Sequence, residues 1–166
     1  RLSVWIESYV YKLSSGDIVS VHKDVTKYKR VERALKKEKE MTQNFLNIAG
    51  VIIVAIDKKD EVTLINKMGC EVLGYDKAEI IGKNWFENFL PERMREQIIP
   101  VSKRLLAGDI ESVEYHENPV LTRDGKERLI AWHNTLLRDE KGNIIGHLSS
   151  GEDITERKKV EEALRE

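Results

Sequence analysis

One twelve-residue stretch of this chain occurs twice. Asp24-Val25-Thr26-Lys27-Tyr28-Lys29-Arg30-Val31-Glu32-Arg33-Ala34-Leu35 returns as Asp153-Ile154-Thr155-Glu156-Arg157-Lys158-Lys159-Val160-Glu161-Glu162-Ala163-Leu164, at a constant spacing of 129 residues (153 − 24). Upstream, Arg1-Leu2 and Trp5 match Arg128-Leu129 and Trp132 at a spacing of 127 (128 − 1). That period is too long for a solenoid unit and is about the size of one domain. The repeat therefore divides the chain. Residues 1–26 read as the closing strands of a preceding domain, 27–47 as a connector helix, 48–155 as one whole domain and 156–166 as the start of a second helix.

The whole domain has about 110 residues, enough for a single core. Charge is abundant but balanced, with a formal net charge of −1, which gives no electrostatic case for nucleic acid or an anionic membrane surface. The single cysteine, Cys70, excludes an intrachain disulfide framework and suits a reducing cytoplasmic setting. No apolar run approaches the ~20 residues of a membrane span, so this stretch implies no membrane contact, whatever anchors a longer parent protein.

Residues 2–11 are rich in β-branched and aromatic side chains. Ser14-Ser15-Gly16-Asp17 signals a turn, and residues 18–21 form a returning strand. A lone hairpin is marginal in water, so this one is expected to lie on the main domain or on a partner. Asp24 or Thr26 caps a helix reaching about residue 47. Val31, Ala34, Met41, Phe45 and Ile48 fall on its a/d positions, with Glu38 as the charged member. This pattern suits a parallel homodimeric coiled coil or, alternatively, one amphipathic helix packed on its own domain.

The run 51–56 reads as a buried central strand and 62–66 as its return. Residues 67–108 switch to short helices stopped by Gly74 and Gly82. A longer helix follows, opened by Pro91, kinked at Pro100 and ended by Gly108. Strands at 111–122, 128–138 and 144–151 close the domain across turns at Asp124-Gly125 and Gly142-Asn143. The order predicts an α+β fold: a five-stranded antiparallel sheet with short helices on one face, flanked by N- and C-terminal helices, with a pocket beneath the helices.

Four stretches, in order, resemble the PAS domains of prokaryotic sensory proteins. Asn66-Lys67-Met68-Gly69-Cys70-Glu71-Val72-Leu73-Gly74-Tyr75 is similar to the family's segment after the second strand, and Glu79-Ile80-Ile81-Gly82-Lys83-Asn84 to the one after it. Arg123-Asp124-Gly125 with Trp132 resembles the family's C-terminal hairpin. Residues 139–146 ending in Asp153-Ile154-Thr155 resemble its terminal segment. The resemblance covers about residues 43–156, and residues 1–26 look like the end of a preceding PAS domain. It implies a non-enzymatic sensor or interaction module, set in tandem with PAS and output domains such as a histidine kinase. In such modules an Asp-x-Thr junction (Asp24 with Thr26, Asp153 with Thr155) passes change into a following coiled coil. Asp153 and Glu156 also have the spacing of a capping box, so simple helix capping is the plainer reading.

The resemblance carries no cofactor signature. Flavin-binding members have a Gly-x-Asn-Cys-Arg-Phe-Leu-Gln stretch, whereas Gly82-Lys83-Asn84-Trp85-Phe86 lacks the cysteine. Haem-binding members carry a histidine on the long helix, and residues 91–108 have none. His116, His133 and His147 fall on predicted strands and read as surface or satisfied core residues. No metal-ligand spacing occurs. Cys70 reads as a small buried apolar residue. Ile53, Ile65, Leu73, Trp85, Phe86 and Ile98 are candidate pocket residues, together with Val101, Trp132, Asn134 and Leu148. Trp132 and Asn134 would orient a polar ligand; the plainer reading is that these residues simply fill the core. No nucleophile elbow, phosphate-binding loop, phospho-acceptor histidine box or cyclase motif is found, so catalysis is not expected of this stretch.

If the a/d seam is the dimer interface, a Met41→Lys, Phe45→Lys variant sediments as a monomer while the unaltered chain sediments as a dimer. Dimers of equal mass in both would place the interface elsewhere.

Overall fold

The computed structural model describes residues 3–109 and 114–165. It divides into two compact units, residues 1–44 and 45–166.

The first unit holds strands β1 (Ile6–Lys12) and β2 (Ile18–Asp24), paired antiparallel, and most of helix α1 (Thr26–Ile48). Gly16, at φ 94°, closes the hairpin turn, where few residues other than glycine are at ease. Every residue of both strands is exposed, apolar Val10 and Ile18 among them, and α1 has no buried residue. The seam residues Val31, Ala34, Met41 and Phe45 are likewise exposed. At the hairpin–helix joint, the Val25 N–H donates to the Trp5 carbonyl (2.9 Å) and the Trp5 N–H to Thr26 Oγ1 (2.9 Å). The Arg33 guanidinium lies 4.3 Å from the centre of the Trp5 ring.

The second unit holds β3 (Ile52–Asp57), β4 (Val62–Ile65), helices α2 (Lys67–Leu73), α3 (Lys77–Ile80), α4 (Trp85–Phe89) and α5 (Glu92–Leu106), then β5 (Tyr115–Leu121), β6 (Glu127–Arg138), β7 (Ile144–Asp153) and α6 (Thr155–Ala163). The five strands form one antiparallel sheet in the order β4-β3-β7-β6-β5. The α+β expectation agrees with this architecture. Residues 111–113 of the fifth expected strand lie outside the described residues.

Local chemistry explains the short helices. Asn66 caps α2, accepting from the Gly69 N–H at 3.0 Å, and Gly74 ends it at φ 78°. Glu79 reaches back to the Asp76 N–H at 3.0 Å to open α3. Asn84 accepts from the N–H groups of Phe86 and Glu87 to open α4. Pro91 sits at the N-cap of α5 and Pro100 lies within it. These helices bury Leu73, Ile80, Phe86, Phe89 and Ile98 against Ile52, Val54 and Ile130 of the sheet.

Asn66 is buried and uses its whole side chain. Its Oδ1 accepts from Ile53 N (2.9 Å) as well as Gly69 N, while Nδ2 donates to the carbonyls of Leu46 (2.8 Å) and Val51 (2.9 Å). One amide thus joins the end of α1, the start of β3 and the start of α2.

The sheet register corrects the upstream part of the sequence repeat. Asp24 pairs with Ile6, but Asp153 pairs with Ile130, a spacing of 124 (130 − 6) on that strand. Trp5 therefore stands where Leu129 does, not where Trp132 does. No single spacing holds across both hairpins because β2 has 7 residues and β7 has 10.

Replacing Asn66 with Ala strands two buried donors and two acceptors. Unfolding in urea should show a loss of roughly 3–5 kcal/mol.

Candidate functional site: an internal cavity and a strand-to-helix joint

Strand parity decides what the domain encloses. On β3, Ile52, Val54 and Ile56 face the helices, while Ile53 turns to the other side and is half-buried. On β7 the alternating positions His147, Ser149 and Gly151 face inward, and on β6 Trp132 and Asn134 do so. Trp132 pairs across the ladder with Gly151. A Cβ on Gly151 would come within 2.5 Å of Trp132 Cζ3, so this glycine makes room for the indole to lie across β7. The indole then meets Trp85 edge to face, ring centres 5.8 Å apart.

Between this sheet face and helices α4 and α5 lies a cavity of about 50 Å³. Its apolar side is made by Val54, Ile56, Trp85, Phe86, Ile98 and Leu105, with Val101 and Trp132. Its polar side carries Ser102 from α5, His116 and Asn118 from β5, Asn134 from β6, and His147 and Ser149 from β7. Ser149 Oγ donates to Asn134 Oδ1 at 2.6 Å, and Asn118 Nδ2 donates to the Pro119 carbonyl at 3.0 Å. Ser102 Oγ and His147 Nδ1 are buried with no hydrogen-bond partner among the described residues. Burial raises the Asp60 carboxyl, and the Lys103 charge and a hydrogen-bonding interaction from the Ser102 hydroxyl oppose that rise, although Ser102 and Asp60 do not reach full hydrogen-bond geometry. Burial pushes the His147 imidazole down from 6.5 to about 4, so it is neutral at pH 7.

Of the sequence-predicted pocket residues, Trp85, Phe86, Ile98, Val101, Trp132 and Asn134 line the cavity. Four do not. Ile65 and Leu73 are buried in the core beside α2, and Ile53 and Leu148 lie on the opposite face of the sheet. The misplacement of Ile53 is a one-residue parity error, because a continuous apolar run such as 51–56 has no alternation to fix its faces; Leu148 is an apolar residue between His147 and Ser149, and it is these polar neighbours that face inward. His147 is neither a surface residue nor a satisfied core residue. The signal that finds it is indirect: Trp132 and Asn134 share a face, their ladder partners are Gly151 and Ser149, and His147 is next on that face. Cys70 is half-buried beside the core, where burial raises its thiol pKa.

The strand-to-helix joint is the second feature. Asp153 Oδ1 accepts from the Thr155 N–H (2.9 Å) and from Thr155 Oγ1, and Thr155 Oγ1 accepts from the Leu129 N–H of β6 at 2.8 Å. The N-cap of α6 is buried Ile154, so the expected Asp153–Glu156 capping box is not formed. Glu156 pairs instead with Lys159 at 2.9 Å. Asp24 does not cap α1 through a box either; its carboxylate accepts from the Thr26 N–H at 2.8 Å. Two further contacts hold α6 and its joint to the sheet: Lys158 to Glu117 of β5 at 3.2 Å and Arg128 to Asp153 at 3.8 Å.

An antiparallel sheet roofed by short helices, with a small cavity between the two layers and a helix leaving the last strand, defines an α+β domain. The sequence profile of the PAS fold matches residues 46–159, and the chain belongs to that family. The PAS domain of a protein from Colwellia psychrerythraea has the same fold, at a TM-score of 0.60 and 21% identity over 74% of this chain and 98% of that one. Sporulation kinase C of Bacillus subtilis is 24% identical over 99% of this chain and 36% of its own length. The uncharacterized protein y4lL of Sinorhizobium fredii is 27% identical over 90% of this chain and 18% of its own length. The chain thus spans about a third or less of these curated relatives. No helix among the described residues is long and apolar enough to cross a membrane.

The neutral burial of His147 has a pH consequence. The unfolded chain takes up this proton near 6.5 and the folded chain near 4. The contribution is therefore fully present above about 6.5, falls as pH drops through that window, and changes no further below about 4. Its size is up to about 3 kcal/mol. Unfolding free energies of the unaltered chain and His147→Gln, compared between pH 7 and pH 4, should show the smaller decline in the variant.

Proposed function

We propose that this chain is a non-catalytic sensory relay module of a multidomain signalling protein, a sensor histidine kinase, in which change at the cavity reaches the helix that leaves the domain. One observation carries this reading. β7 supplies His147 and Ser149 to the cavity wall and, four residues further on (153 − 149), ends at Asp153 in the joint to α6. The same Thr155 hydroxyl that meets Asp153 is held by the backbone of β6, so a shift of either strand tilts the start of α6. Similarity to sporulation kinase C along 99% of the chain supports the kinase setting.

In this reading residues 1–26 are the last strands of a preceding PAS domain, and their exposed apolar faces belong against the rest of that sheet. The seam Val31, Ala34, Met41, Phe45 pairs two copies of the chain in parallel. The partners are a second copy and the neighbouring PAS and output domains, without nucleic acid, and the module works on the cytoplasmic side. The small cavity favours a second reading, a ligand-free dimerisation and relay domain driven by its neighbour, because about 50 Å³ is well under the 300–1,000 Å³ of ordinary ligand pockets.

The relay is tested in a chimera joining this chain, through α6, to a histidine-kinase core. Asp153→Ala should leave the thermal midpoint within a few degrees, as expected for loss of an exposed cap-type contact. Kinase activity should change severalfold. Activity equal to the unaltered chimera's would reduce the joint to a helix cap.

A further inference from the structure

We propose that the cavity takes a small uncharged molecule, of about five to eight non-hydrogen atoms, with an apolar end and a hydrogen-bonding end held between Ser102 and His147. This deepens the sensory reading and rests on it.

The polar wall sorts itself into satisfied and unsatisfied groups. Asn134 and Ser149 bond each other, and Asn118 bonds a backbone carbonyl. Among the described residues Ser102 Oγ and His147 Nδ1 make no hydrogen bond of full geometry, Asp60 standing off from Ser102, although both residues are at least nine-tenths buried. A buried polar atom left unpaired is costly, and folded proteins pair such atoms with protein, water or ligand. These two sit on different elements, α5 and β7, so one guest that meets both spans the cavity from helix to sheet. A serine hydroxyl gives and accepts a hydrogen bond, and a neutral imidazole nitrogen does one or the other. A carboxamide or an azole, with donor and acceptor side by side, satisfies both.

Charge and size narrow the class. Among the described residues the lining contains no Asp, Glu, Lys or Arg. An ion brought here would lose its water without gaining a counter-charge. Asp60, close to Ser102, is itself opposed by Lys103, so that corner offers neither sign a clear partner. A cavity of about 50 Å³ accommodates roughly three to five water-sized bodies, hence one small ring or a short amide, and is far too small for a flavin or a haem. The aromatic side, Trp85 and Trp132, suits the apolar end.

The test uses three probes with one heavy-atom skeleton: propionamide, propionate and propionamidinium. Each is titrated into the chain and followed by protein NMR, reading the backbone amides of residues 102 and 147 and the His147 ring nitrogens. The expected result is saturable shifts with propionamide alone, displacement of the Nδ1 signal, and an apparent affinity reduced about fivefold or more in Ser102→Ala. That variant should also melt no lower than the unaltered chain in the absence of probe, because it removes an unpaired hydroxyl. Equal or tighter binding of propionate or propionamidinium overturns the uncharged class while leaving the cavity a sensory site. Binding of propionamide that neither moves the His147 ring nor weakens in Ser102→Ala overturns the two named contacts. No shift with any probe overturns the proposal outright, whereas the relay itself stands or falls separately on the Asp153→Ala chimera.

Discussion

The side chain of Asn66 is the point on which the domain's layout depends. Four backbone groups from three segments converge on one buried amide, and each of its two donor protons and two acceptor positions is used. Without it the start of β3 would lack a donor's partner, and the chain leaving α1 would have two carbonyls facing an apolar core. With it, the entry of the chain, the first strand and the first helix over the sheet are fixed together.

The cavity shows the opposite economy. Most of the interior is satisfied, yet Ser102 and His147 keep polar atoms unpaired in a region otherwise lined by Trp85, Phe86 and Ile98. Burial holds His147 neutral across the physiological range, so its proton does not report ordinary pH changes. A core optimised only for stability would place apolar side chains at both positions. The retained polarity is concentrated on α5 and on β7, the strand that leads to α6.

Much of this is legible in the sequence. Gly74 and Gly82 mark helix ends because glycine takes the positive φ that stops a helix, Pro91 marks a helix start because its ring fixes φ, and the turns at Gly125 and Gly142 set the order of the last three strands. Trp132 and Asn134 are named from the sequence for their hydrogen-bonding groups, and their spacing of two puts both on the cavity face. Ile53 is misassigned because a continuous apolar strand hides its parity, and Leu148 because an apolar residue flanked by polar ones reads as the inward one; only the ladder resolves which alternate residues face the helices. The capping box at Asp153 and Glu156 failed for a related reason. Sequence spacing gives candidates for a bond, but buried Ile154 takes the N-cap and turns the carboxylate of Asp153 toward Thr155 instead. His147 escaped because an unpaired polar group deep in a fold runs against expectation, and such exceptions become visible only when every buried atom is accounted for.

The two hairpin–helix joints share most of their hydrogen bonds and differ in the threonine hydroxyl, which donates to the Trp5 carbonyl at Thr26 and to the Asp153 carboxylate at Thr155. Trp5 donates to the Thr26 hydroxyl as Leu129 donates to that of Thr155, and each aspartate receives the threonine N–H two residues on. A segment running from one joint to the next therefore begins and ends with interchangeable fittings. In genetic terms, an in-frame duplication or deletion of that length adds or removes a complete domain and leaves an intact joint at the seam.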